Sequence, residues 1–204
     1  MMARLDPRPT EELDHLQAQF EQTQQMMGYV PNSLPTMARV PGLVEAFGGL
    51  GRAVMANPAV PGPLAQMVAQ VASTAAGCRY CQAHTTAHAA HMGVSEEKLD
   101  ELWTWKTSDH FDAGERAALD LAFDAASVPN AVTDGHFATL RVHFNDDQIA
   151  GIVAIISYFG FLNRWNDTMA TDLEAAPAEL ASRVLEGQGW NPGHLHVEEP
   201  VDGD

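Results

Sequence analysis

An all-α fold is what this 204-residue sequence predicts, on three observations. Valine and isoleucine runs with period-two alternation are nearly absent, while alanine, leucine, glutamate and glutamine are plentiful, which favours helix throughout. Helix-start signals recur, each a capping side chain followed three residues later by an acid or amide. Glycine and proline punctuate the stretches between. The hydrophobic content of 46% is enough for one core of ordinary size or two small, fused ones. One all-helical domain is therefore expected over 1–190, with an acidic, proline-bearing tail over 191–204 that is disordered or draped.

Taken in order, residues 1–9 read as loose. Thr10 is placed to cap a helix that begins Glu11-Glu12-Leu13 and ends at Gly28, with Leu13, Leu16, Phe20 and Met27 as a sparse apolar stripe. Gly28-Tyr29-Val30-Pro31-Asn32-Ser33 is a turn segment stiffened by Pro31. A short helix follows to Arg39, and Pro41 suits the first position of the next. Leu43, Val44, Phe47, Leu50, Val54 and Met55 then recur at helical spacing. Three prolines over 57–63 break the chain before a helix from Leu64 that leads to Gly77.

After Gly77 an Ala/His-rich run reads as a helix closed by Gly93, and Ser95 can cap the helix that starts Glu96-Glu97. Asp112 with Glu115 resembles a capping box, continued by Leu119, Leu121, Ala122 and Phe123. Thr133 opens a shorter helix reaching Phe144. Asn145 with Gln148 is another box-like start, for Ile149 to Phe159, which is apolar nearly all round and so is central or shared across a subunit interface. The polar end Asn163-Arg164-Trp165-Asn166-Asp167-Thr168 departs from that pattern, either lining a pocket or closing a buried helix. Ala178 to Glu186 gives one last amphipathic helix.

Both cysteines of the chain lie two residues apart in Gly77-Cys78-Arg79-Tyr80-Cys81-Gln82-Ala83-His84. A break at Gly77 puts Cys78 and Cys81 in the first turn of the following helix, on one face. Unpaired N–H groups and the positive end of the helix dipole favour an anion there, so one cysteine is expected to have a lowered pKa and raised reactivity. The stretch reads as a dithiol redox site, with His84 one turn from Cys81 and able to accept or donate a proton. Cys81, His84, His88 and His91 also share a helix face, and Cys/His sets bind zinc. A single straight helix does not readily wrap four ligands around one ion, and His88 and His91 read better as structurally satisfied residues. No metal and no cofactor is expected.

The net charge of −16 argues against nucleic-acid partners, whose phosphates would be repelled, and against anionic membrane surfaces. The start Met1-Met2-Ala3-Arg4-Leu5 lacks the apolar core of a secretory signal, and the uncharged run 148–163 is short for a span of about 20 residues. A cytoplasmic location is expected, where a C-x-x-C pair is more often catalytic or metal-binding than a structural staple.

Gly77 to His84, the helix before it and Gly93-Val94-Ser95-Glu96-Glu97 after it resemble the carboxymuconolactone decarboxylase/alkylhydroperoxidase D superfamily. Gly28-Tyr29-Val30-Pro31-Asn32, Ala113-Gly114-Glu115-Arg116-Ala117-Ala118-Leu119 and Phe161-Leu162-Asn163-Arg164-Trp165-Asn166-Asp167 resemble its peroxidase-related members, over roughly 28–175 in all. The resemblance implies an alkylhydroperoxidase D-like all-α fold, a homo-oligomer and no tightly bound cofactor. It further implies reduction of a small hydroperoxide at the expense of an external dithiol. It assigns Cys81 the attack on the O–O bond and Cys78 the resolution of the sulfenic acid; the dipole argument alone favours the earlier cysteine.

Two positions depart from the family. Where alkylhydroperoxidase D has a relay glutamate, twelve before the first cysteine, this chain has Gln66, and where it has a histidine, four after the second, this chain has Thr85. His84 is one residue early, so the relay is broken or rebuilt. Two rival readings stand beside the thiol peroxidase or disulfide oxidoreductase. One is a non-redox enzyme like the lactone decarboxylases, and the other is a metal-binding or scaffolding oligomer using Cys81, His84 and His88.

Overall fold

The computed structural model describes residues 3–199, and among these ten α-helices and four short 3₁₀ turns make an all-α protein without a β-strand. The helices are α1 (Gln17–Met27), α2 (Ser33–Met37), α3 (Leu43–Met55), α4 (Gly62–Ala75), α5 (Arg79–His91), α6 (Glu96–Asp100), α7 (Ala113–Ala126), α8 (Asp134–Leu140), α9 (Asp146–Met169) and α10 (Ala175–Val184). No helix among the described residues is long and apolar enough to cross a membrane.

The helix starts follow their caps. Asp112 and Asn145 open α7 and α9 with reciprocal capping boxes to Glu115 and Gln148, and Ser95 accepts the Lys98 N–H at the head of α6. Three starts differ from the expectation, one of them the last helix, expected from Ala178 and beginning at Ala175. The helix expected from Glu11 is two 3₁₀ turns, Thr10–Glu12 and Asp14–Leu16, before α1 begins at Gln17. Leu13 and Leu16 are both buried, and the tighter 3₁₀ winding brings residues three apart into line. Pro41 does not start α3, because Gly42 takes a left-handed φ of 76° and the helix begins at Leu43.

Helix α9 is the axis of the molecule. One flank, with Ile149, Ile152, Ile155, Ile156 and Phe159, enters the main core beside Val68, Val71 and Ala72 of α4 and Leu119 and Leu121 of α7. Tyr158 and Leu162 pack against both this core and, with Trp165, a smaller one of Leu13, Leu16, Leu34, Met37, Val44 and Phe47. Serving two cores accounts for most of its apolar girth, and a further face stays exposed through Val153 and Phe161. The helix does not stop at its polar end but continues to Met169, and Arg4 caps its C-terminus by donating to the carbonyls of Asp167 and Thr168. The chain then reverses at Ala170, φ 49°, into α10. Residues 190–198 drape back across this reversal. Leu173 and Val197 form a single parallel bridge, and Trp190 and Leu195 are buried.

Candidate active site

The site begins at the corner between α4 and α5. Gly77 turns the chain with φ 75°, leaving Cys78 extended as the N-cap of α5 and Cys81 within its first turn. The Cys78 sulfur accepts the backbone N–H of Cys81 at 3.4 Å, so the first thiol occupies an N-cap's usual role. Both cysteines are unbridged and buried. Helix α9 brings Asn166 onto them: its Nδ2 donates to the Cys81 sulfur at 3.5 Å, and Thr171 donates to its Oδ1 at 2.9 Å and fixes which end of the amide faces the thiol.

The dipole expectation does not hold for Cys81. Burial and then the neighbouring Cys78 push its thiol well above the ordinary range, and the Asn166 donor pulls back only in part. At rest Cys81 is a thiol that needs help to ionise.

That help is gathered around His84. Its ring is stacked on Tyr80, with centroids 4.3 Å apart. His84 Nε2 lies 2.6 Å from Glu174 Oε2 and its Nδ1 lies 3.0 Å from the Tyr29 hydroxyl. The other carboxylate oxygen of Glu174 accepts the Asn32 N–H at 2.6 Å and the Tyr80 hydroxyl at 2.9 Å. Burial alone would raise the Glu174 carboxyl; the His84 ring and the Asn32 N–H outweigh it and hold the group below the usual carboxylate range. Burial also raises Tyr29 and Tyr80, and the Glu174 charge raises both further.

Sequence reasoning placed Cys78, Cys81 and His84 on one helix, and the structure shows what surrounds them. It missed Glu174, Tyr29 and Asn32 as partners of His84. The stretch Gly28 to Asn32 was singled out for its resemblance alone, and both its Tyr29 side chain and its Asn32 N–H reach the site. Glu174 lies ahead of the helix expected from Ala178 and carried no reading in the sequence; it precedes α10, and its side chain caps nothing there. The position-66 relay is absent in fact: Gln66 is buried with Oε1 unpartnered, and Thr85 donates to Gln70 and to the Cys81 carbonyl. His88 lies beyond this network, its Nε2 buried without a partner and its pKa pushed down to about 4 by burial and the two flanking histidines. No group of three or more His, Cys, Asp or Glu side chains among the described residues is arranged to hold a metal ion.

Comparison with known proteins agrees with this architecture. The family model for the carboxymuconolactone decarboxylase family matches residues 41–124, from the start of α3 through most of α7. The uncharacterized protein YdfG of Bacillus subtilis is 31% identical over 91 residues, which span 44% of this chain and 60% of YdfG. The crystal structure of the debrominase Bmp8 is 34% identical over 87% of this chain and 96% of that one, with a TM-score of 0.81. A cysteine-to-alanine variant of Bmp8 in complex with 2,3,4-tribromopyrrole superposes equally well, with a TM-score of 0.82. A peroxidase-related protein from Ralstonia eutropha JMP134, described as an alkylhydroperoxidase AhpD core, is 24% identical over 91% of this chain, with a TM-score of 0.78, and shares the fold. The chain belongs to the carboxymuconolactone decarboxylase family and has its alkylhydroperoxidase D-like fold.

Proposed function

We propose that the protein is a dithiol oxidoreductase that reduces a small hydroperoxide, with Cys81 as nucleophile and Cys78 as resolving thiol. The observation that carries this is the Asn166 amide, aimed from another helix at the Cys81 sulfur and locked by Thr171. A donor held in that place stabilises negative charge on sulfur as it develops. Cys81 as thiolate attacks the outer oxygen of ROOH: an S–O bond forms, the O–O bond breaks, and the leaving oxygen takes a proton to become ROH. The Cys78 thiol then displaces water from the sulfenic acid, giving the Cys78–Cys81 disulfide, and an external dithiol restores the pair. Residues three apart at a helix start are within bridging reach.

The test is mass spectrometry after brief peroxide exposure with a sulfenate trap. Wild type is expected to lose two thiols per chain to an intramolecular disulfide, Cys78→Ser to trap a sulfenate on Cys81, and Cys81→Ser to lose turnover. Turnover by Cys81→Ser at the wild-type rate would reassign the nucleophile.

The likeness to Bmp8 favours a second reading on the same cysteines, reductive dehalogenation of an electron-rich bromoarene. There the thiolate takes bromine while the ring carbon takes a proton, ArBr + RS⁻ + H⁺ giving ArH + RSBr. Cys78 then expels bromide as the disulfide forms. Bromide released from 2,3,4-tribromopyrrole in the presence of a dithiol, faster than hydroperoxide is consumed, would select this reading.

A further inference from the structure

His84 is the obvious base for the Cys81 thiol, yet both its ring nitrogens are already taken. Glu174 Oε1 accepts Asn32 N–H and Tyr80 O–H, and Oε2 faces His84 Nε2 at 2.6 Å. An ionised carboxylate only accepts, so Nε2 carries its proton permanently and Nδ1 is the nitrogen that gains or loses one. Nδ1 faces the Tyr29 hydroxyl at 3.0 Å. Neither nitrogen is left to meet a thiol or a substrate.

The hydroxyl of Tyr29 has capacity to spare, since an O–H given to Nδ1 leaves oxygen lone pairs open. It is also where the network opens outward. Tyr80, His84 and Glu174 are 3%, 8% and 6% exposed, whereas Tyr29 is only half-buried. Its mounting is rigid. The left-handed Gly28, φ 84°, stops α1, and the same turn sends the Asn32 N–H to Glu174, so one short segment sets both ends of the chain of hydrogen bonds.

We propose that the Tyr29 hydroxyl is the catalytic proton-transfer group of this site, with His84 and Glu174 behind it as positioning residues. The inference rests on the dithiol peroxide-reductase reading. As the Cys81 thiol gives its proton through one water to the Tyr29 oxygen, the Tyr29 proton passes to Nδ1, leaving an imidazolium against the Glu174 carboxylate. Sulfur then attacks, the O–O bond breaks, and its electron pair leaves on the departing oxygen. That oxygen takes the Tyr29 proton while Nδ1–H returns one to Tyr29. The balance is Cys–SH + ROOH giving Cys–SOH + ROH, with no outside acid or base consumed.

The test exploits the leaving group. An alkoxide leaving from an alkyl hydroperoxide needs a proton in the transition state, and acetate leaving from peracetic acid does not. Thiol ionisation is common to both and cancels in the comparison. Single-turnover oxidation of reduced wild type and Tyr29→Phe is measured with tert-butyl hydroperoxide and with peracetic acid. The variant is expected to lose about 10²-fold or more with the hydroperoxide, the ordinary range for general acid–base catalysis, and at least about tenfold less than that with the peracid. Equal losses with the two oxidants, as a packing role would give, or no loss with either, overturn the role given to Tyr29 while leaving the dithiol reading intact. A wild type whose thiols resist both oxidants overturns the dithiol reading and this inference together.

Discussion

Replacing Glu174 by glutamine tests whether the buried acid beside His84 is chemical as well as structural. The amide oxygen can keep both contacts of Oε1, to the Asn32 N–H and the Tyr80 hydroxyl, at 2.6 and 2.9 Å. The NH₂ then faces His84 Nε2, which must give up its proton, and the imidazole turns to the tautomer that donates from Nδ1 to Tyr29. One charge-assisted hydrogen bond in a buried place becomes a neutral one, a loss of about 1–2 kcal/mol. For a chain of 204 residues that lowers Tm by roughly 2–8 °C. The imidazolium formed as the proton moves also loses the carboxylate that pairs with it, so the rate of sulfenate formation near neutral pH should fall, by up to the about 10²–10⁴-fold that general acid–base catalysis supplies. Calorimetry gives the first quantity and stopped-flow peroxide consumption by the reduced protein the second. A lower Tm with an unchanged rate would show that the Glu174–His84 pair only holds the fold, and no change in either would refute its assignment altogether.

Four further outcomes are expected. Gln66→Glu should not accelerate the reaction, because His84 already has its carboxylate; it should lower stability by burying an acid whose oxygen has no partner, visible as a lower urea midpoint. His88 has a folded pKa of about 4 against about 6.5 unfolded, so the unfolded chain binds the extra proton between these values. Its contribution is therefore complete above about pH 6.5 and lost as pH falls toward 4, about 2 kcal/mol by pH 5, and urea melts of His88→Gln should show a correspondingly flatter acid limb. Ala170→Gly should raise stability by about 0.5–1 kcal/mol, since alanine at φ 49° is strained, and a lower Tm would contradict that account. Light scattering should give a mass above the 22.1 kDa monomer, because α9 leaves Val153 and Phe161 exposed beside a surface groove lined by Gly160, Arg164, Trp165 and Met169; a monomer at micromolar concentration would sink this.

What the sequence made legible was local. Asp112 and Asn145 announce α7 and α9 because a cap and its reciprocal partner lie three residues apart, and Ser95 announces α6 through its bond to the Lys98 N–H. The cysteine corner is legible for the same reason: Gly77, Cys78 and Cys81 lie within one turn of each other. What escaped was set by tertiary packing. The early 3₁₀ turns follow from the joint burial of Leu13 and Leu16. The raised pKa of Cys81 follows from desolvation, which the dipole argument leaves out. Glu174 could not be matched to His84 from spacing at all, since 90 residues separate them.

That separation bears on the order in which the molecule becomes competent. The thiols sit in the α4–α5 hairpin, whose contacts close small loops. Tyr29 lies 55 residues from His84, Glu174 lies 90 from it, and the Asn32–Glu174 bond spans 142 residues. Closing large loops costs chain entropy before any contact repays it, so Tyr29 and Glu174 reach His84 after the cysteines are in place. A chain emerging from the ribosome thus carries both thiols and His84 before the Asn166 amide and the Glu174 carboxylate that complete the site have been made. The paired hydrogen-bond network is therefore a property of the finished protein, assembled by the last long-range closures around thiols that were already side by side.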